Sequence, residues 1–138
     1  MEKSEIIIKI CAMPREYKTK GNMSMQDLLL LSGYMDAPDK ITTQDLEPHL
    51  RQFPEIVVSW QQFSWDIRWT PCWYLDSSDN SSNYNSGDWY VGYMTREVID
   101  KEKYNFTNAF EACAFFIKQT LEFYREYIMK HGEPKKGI

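Results

Sequence analysis

The stretch Pro54–Leu75, PEIVVSWQQFSWDIRWTPCWYL, changes its period halfway along. Up to Asp66 the apolar residues Ile56, Val57, Trp60 and Phe63 fall at i, i+1, i+4 and i+7, one face of a helix. Pro54 suits the first helical position, where a missing N–H costs nothing, so the spacing predicts a helix from Pro54 to about Asp66. Beyond Asp66 the spacing becomes two. Ile67, Trp69, Pro71, Trp73 and Leu75 alternate with Arg68, Thr70, Cys72 and Tyr74, as in a strand with one apolar face. Pro71 cannot donate to a ladder, which puts that strand at an edge or gives it a bulge.

Downstream, Asp76–Asp88 is built almost wholly of Ser, Asn, Asp and Gly. A polar loop of that length in a compact domain commonly carries function or moves. WYVGYM, Trp89–Met94, then reads as the returning antiparallel strand, and Val98–Tyr104 as another short strand or turn. From Thr107 to about Lys130 a helical stripe runs through Phe110, Cys113, Phe116, Ile117, Thr120, Leu121, Tyr124, Tyr127 and Ile128. Phe115 and Phe123 lie off the stripe, so a second side of this helix is expected to be covered as well. Gly132 and Pro134 stop it, leaving residues 131–138 as a frayed tail.

Upstream, Thr42 or Thr43 can cap a helix, but Pro48 would remove a hydrogen bond inside it; a short turn restarting at Pro48 is expected. Ser24 with Asp27 resembles a capping box ahead of an apolar helix, Met25–Met35, which Gly33 and Pro38 bring to a stop. Glu5–Ala12 is β-branched and reads as a short strand, and Pro14–Asn22 as a basic loop, so residues 1–22 are a strand plus a basic loop. The expected fold is α+β: one domain, 1–138, with a small antiparallel β-sheet packed against a long C-terminal helix and shorter N-terminal helices.

Composition narrows the chemistry. The net charge of −4 is unevenly spread: residues 21–129 hold eight Lys/Arg against sixteen acids, and Thr70–Thr95 holds no cation at all. Such a surface disfavours nucleic acid and suits a basic partner. No stretch is long and apolar enough for a membrane, and no early segment reads as a signal peptide. Cys11, Cys72 and Cys113 are odd in number and far apart, which fits reduced thiols and a cytoplasmic location. Cys72, alternating with aromatics, is expected to be half exposed. Two histidines, His49 and His131, make a His-rich metal site impossible and a His-based triad improbable. There is no phosphate-binding loop and no dinucleotide fingerprint. Asp76, Asp79 and Asn83 lack the glycine and closing glutamate of a calcium loop, so no metal and no cofactor is expected.

All five tryptophans lie between Trp60 and Trp89. Period assigns Trp60 to the helix core and Trp69 and Trp73 to the strand face against the long helix. Trp65 is off the stripe and Trp89 opens a strand beside the polar loop, so these two are expected to be partly exposed. Aromatics beside Asp and Asn, with no cation nearby, make a protein-binding patch. The partner-binding candidates are therefore Trp65, Asp76, Asp79, Tyr84, Asp88 and Trp89. Asp66 with Arg68, at the helix–strand junction, is expected to form a local ion pair or a helix-end contact, or else a polar anchor that orders the junction beside a ligand.

Read together, WQQFSWDIR (Trp60–Arg68), Trp73-Tyr74, WYVGY (Trp89–Tyr93) and ACAFFI (Ala112–Ile117) resemble small bacterial immunity proteins. These are encoded beside polymorphic or contact-dependent growth inhibition toxins. The resemblance spans roughly residues 42–128 and rests on W-x-x-x-S-x-D-x-R, then W-Y, then ACA-x-F-I. It implies a cytosolic protein that is not an enzyme and neutralises a cognate toxin domain by covering its active site or substrate surface. Contact residues vary between such pairs, so no site residue is carried over. The acidic middle of the chain agrees with a basic, nuclease-type toxin. The competing class is a small-ligand-binding or hydrolytic enzyme domain using Asp or Tyr side chains in a sheet–helix pocket, with Asp66, Asp76 and Asp88 as its carboxylates.

Overall fold

The structure is a computed structural model that describes residues 1–67, 69–78 and 83–132. The expected Asp66–Arg68 pair, Asp79 and the tail from Glu133 lie outside the described residues. Among the described residues the chain is α+β, with six α-helices and one three-stranded antiparallel sheet. It groups into two compact units, Met1–Thr42 with Leu121–Ile138, and Thr43–Thr120.

The first unit is helical from its start. Residues 1–22 form helices α1 (Lys3–Cys11) and α2 (Met13–Lys20), not a strand and a loop. The isoleucines favour a strand by propensity, but burial decides otherwise. Ile6 and Ile10, four apart, are buried with Cys11, whereas Ile8 is exposed. Glu5 in the first turn and Lys9 in the last also suit the helix dipole. Gly21, with φ +67°, ends α2 in the left-handed region.

Helix α3 (Met25–Ser32) opens on the expected capping box. Ser24 Oγ accepts the Asp27 N–H at 3.0 Å, and Asp27 Oδ2 accepts the Ser24 N–H at 2.9 Å. Gly33 closes it at φ +87°, before two short 3₁₀ turns, Tyr34–Asp36 and Pro38–Lys40. The Tyr34 side chain is fully buried, and its hydroxyl donates to Glu122 Oε2 at 2.5 Å. Arg125 holds the same carboxylate with two further bonds, of 3.0 and 2.9 Å.

The second unit begins with α4 (Thr43–Gln52), which runs through Pro48 without a break. Leu46 and Leu50 are buried four apart on either side of the proline, while Pro48 and Gln44 are exposed. Solvent can therefore serve the carbonyl that Pro48 frees, and packing keeps the helix whole. Helix α5 (Glu55–Asp66) follows directly after Pro54 and buries Val57, Trp60 and Phe63. Trp60 meets Phe63 and Phe116 edge-on at 5.8 and 5.9 Å, a core tryptophan as its period requires.

The sheet has the order β1 (Cys72–Ser77), β2 (Trp89–Met94), β3 (Glu102–Phe106). Cys72 pairs with Met94 and Ser77 with Trp89; Trp89 in turn pairs with Phe106 and Tyr93 with Glu102. The first strand starts five residues later than its alternation suggests, after the cis Thr70–Pro71 peptide. Trp69 therefore precedes the ladder and is 43% exposed rather than packed in the core. Val98 lies outside the third strand, in the stretch joining β2 to β3.

Helix α6 (Ala109–His131) starts where Asn108 Oδ1 accepts the Glu111 N–H at 2.9 Å. It packs on the sheet through Phe115, whose ring lies 6.2 Å from Trp73, 4.8 Å from Tyr104 and 5.4 Å from Phe106. Phe115 is off the main stripe, so the second side of the helix is indeed covered. Tyr127, counted on the stripe, is exposed. Among the described residues, no helix is long and apolar enough to cross a membrane.

Candidate binding surface

Successive strand residues point to opposite faces, and α6 covers only one of them. Trp73, Leu75, Trp89 and Val91 belong to the inner face. Tyr74, Asp76, Tyr90, Gly92, Lys103 and Asn105 belong to the outer face, as the register requires. There the Tyr74 and Tyr90 rings meet edge-on at 6.1 Å. A Cβ at Gly92 would run into the Tyr74 ring, so glycine lets that ring lie flat across β2. The Tyr90 hydroxyl donates to Asp76 Oδ2 at 3.5 Å, and the Lys103 ammonium sits 4.3 Å above the Tyr90 ring. Burial, then the carboxylates of Asp76 and Asp88, push the Tyr90 phenol above its ordinary pKa. It keeps its proton at neutral pH and remains a donor.

The hairpin beside this patch is closed by Asp88. Its carbonyl accepts the Ser78 N–H at 3.0 Å, and its carboxylate accepts the Ser78 hydroxyl at 2.8 Å. Asp88 is exposed and Asp76 half-buried, so both carboxylates reach the surface.

The five candidates from sequence that fall within the described residues do not form one patch. Asp76 and Asp88 share the hairpin and flank Tyr90. Tyr84 turns inward: its ring packs against Trp89 at 5.7 Å and Phe110 at 6.1 Å, and its carbonyl accepts the Ala109 N–H at 2.8 Å. It pins the polar loop to the start of α6. Trp89 is 0% exposed, with its indole N–H on the Ser86 carbonyl at 3.2 Å, so its expected exposure is corrected. The strand period puts it on the inner face with Val91, and that outweighs its polar neighbours in sequence. Trp65 is 54% exposed, as expected, but it sits in the last turn of α5, near the chain's entry to β1. The polar loop joins the opposite end of β1, a strand about 17 Å long. Asp79 lies outside the described residues.

Alternation alone sets Tyr90 on the strand face opposite Trp89, but neither Tyr90 nor Lys103 is among the candidates from sequence. Tyr90 faces Asp76 only through strand register, and Lys103 reaches Tyr90 from a third strand.

A separate groove of about 210 Å³ opens between β3, α4 and α6. Phe106, Ala114 and Phe115 give it an apolar lining, and Glu47 and Glu111 supply carboxylates. Among the described residues neither Asp nor Tyr lines it. No three of His, Cys, Asp and Glu stand close enough to hold a metal ion among the described residues, so Asp66, Asp76 and Asp88 do not meet in that way. All three cysteines are buried. Cys72 is therefore not half exposed. Burial raises its thiol pKa and pushes that of Cys11 up to about 12, which leaves both poor nucleophiles. Burial lowers the pKa of His49, whose ring lies 5.0 Å from that of Phe53.

Compared with known proteins, the chain matches no family model, no curated protein and no solved structure.

Proposed function

We propose that this chain is a toxin-neutralising protein of the immunity type, which binds and occludes a basic, nuclease-type toxin domain. The observation that carries this reading is the outer face of the sheet, where Tyr74 and Tyr90 stand half-buried beside Asp76 and Asp88. Half-buried tyrosines offer a large, stiff contact area, and flanking carboxylates select a cationic partner. The acidic middle of the chain would speed the encounter by long-range attraction, and the tyrosines would then be desolvated against the partner. The type of toxin comes from the sequence resemblance and the charge. The bacterial cytoplasm, where such a toxin acts, is the location that belongs to this reading.

The test is co-purification with the product of the adjacent gene, followed by growth rescue. The protein should relieve the toxicity, and its affinity should fall as salt rises. Changing Asp76, Asp79 and Asp88 together to Asn should weaken binding by about tenfold or more while the fold persists. Unrelieved toxicity would sink the immunity reading, and an unchanged affinity would remove the hairpin from the interface.

A further inference from the structure

The two edges of the sheet are finished differently. On β1, the Leu75 N–H donates to Ser64 Oγ at 2.8 Å, and the Ser64 hydroxyl donates back to the Leu75 carbonyl at 3.3 Å. Leu75 thus faces α5, away from β2. In an antiparallel ladder the direction alternates from residue to residue. Tyr74 and Asp76 therefore bond to β2, in step with the Ser78–Asp88 bond at 3.0 Å. The same alternation makes Trp89, Val91 and Tyr93 bond to β3, through Phe106, Tyr104 and Glu102. Lys103 and Asn105 are left with their N–H and C=O groups pointing outward, and both residues are exposed. Among the described residues no other backbone pairs with them.

A lysine on an edge strand usually discourages pairing. Here its ammonium rests over the Tyr90 ring on the outer face, away from the edge. At the end of β3 lies the groove floored by Phe106 and Phe115. Arg51 makes both of its bonds to one Glu47 oxygen, Oε1, so Oε2 is not taken by that pair. Glu111 is exposed. A strand laid along β3 would turn the side chain opposite Phe106 to the inner face, over this groove.

We propose that the open edge of β3 receives an extended segment of a partner protein carrying Arg or Lys opposite Phe106. The backbone of that segment pairs with Lys103 and Asn105, its aliphatic stem lies on Phe106 and Phe115, and its charge meets Glu47 and Glu111. This inference stands apart from the toxin-binding reading, since a neutralising protein could dock by its outer face alone.

The experiment is an amide NMR titration of the full chain with the peptide Thr-Val-Thr-Val-Arg-Val-Thr-Val-Thr and with its central-Glu counterpart. The Arg peptide should bind saturably, shift the Lys103 and Asn105 amides, and bind at least about tenfold tighter than the Glu peptide. Asn105→Pro removes an outward N–H and leaves the β2 ladder intact, which unmoved Trp89 and Val91 amides would verify; it should abolish binding. Glu47→Gln with Glu111→Gln should erase the preference for Arg. No saturable binding, equal binding of both peptides, or shifts confined to another surface would overturn the proposal. So would sedimentation showing that β3 pairs with a second copy of itself.

Discussion

Trp89 and Tyr90 are neighbours in the chain and opposites in the fold. Trp89 faces α6 and loses all contact with solvent; Tyr90 faces outward, half-buried between Tyr74 and a lysine. Both are large aromatics beside the same polar loop, so composition does not separate them. The side of the sheet that α6 covers does. One face is an interior, and the other is an aromatic surface held in order by its own contacts.

The largest expected effect tests this division directly. Trp89→Ala should cost about 3–5 kcal/mol in urea unfolding, as for a large side chain lost from a core. Tyr90→Ala should cost about 1 kcal/mol, yet it should be the variant that weakens partner binding. If Tyr90→Ala unfolds the protein as readily as Trp89→Ala, the outer face is not spare and the contrast fails.

Next in size is the closed edge. Ser64→Ala leaves the N–H and C=O of buried Leu75 without their partner, and about 2–3 kcal/mol of stability should be lost. Asn105→Pro on the open edge should cost under about 1 kcal/mol, since no ladder bond is removed. Equal losses at the two edges would show that β3 is closed after all.

Features written in local sequence were legible. The end of the helix at Asp66, the capping box at Ser24 and the stripe of the last helix are short-range patterns, and each formed. In residues 1–22 β-branched propensity points to a strand, but the i, i+4 spacing of Ile6 and Ile10 is the signal that the fold follows. Alternation runs from Ile67 through Trp69 and across Pro71, yet the ladder begins only at Cys72. At the candidate site, Asp76 and Asp88 were visible as acids in a cation-free stretch. Trp89 follows its alternation with Val91, not the polarity of its loop neighbours. The contacts of Tyr90 with Asp76 and Lys103 depend on strand register, which joins residues many positions apart.

A smaller effect probes the order within the outer face. Gly92→Ala forces the Tyr74 ring aside, at a cost of about 1 kcal/mol. In a Tyr74→Ala background the same change should be nearly free, and a double-mutant cycle in urea measures the difference. Additive costs would mean that Tyr74 does not lie across Gly92.

The smallest expected effect is a titration. The Tyr90 phenol is raised above 10.0, first by burial and then by Asp76 and Asp88. The fold thus favours the protonated phenol. Its stabilising contribution is complete below the unfolded pKa and is lost as pH rises from about 10 through the folded value. Asp76→Asn removes the nearer charge and the acceptor, so an NMR titration of the Tyr90 ring should show its pKa fall back toward 10.0. The alkaline loss of stability should shrink with it. Tyr104 supplies the control, because its phenol is raised by its bond to Glu102 and should titrate unchanged. If Tyr90 also keeps its raised value in Asp76→Asn, then burial and Asp88 set it. Asp76 and Tyr90 would then be neighbours on the outer face without acting as one polar unit.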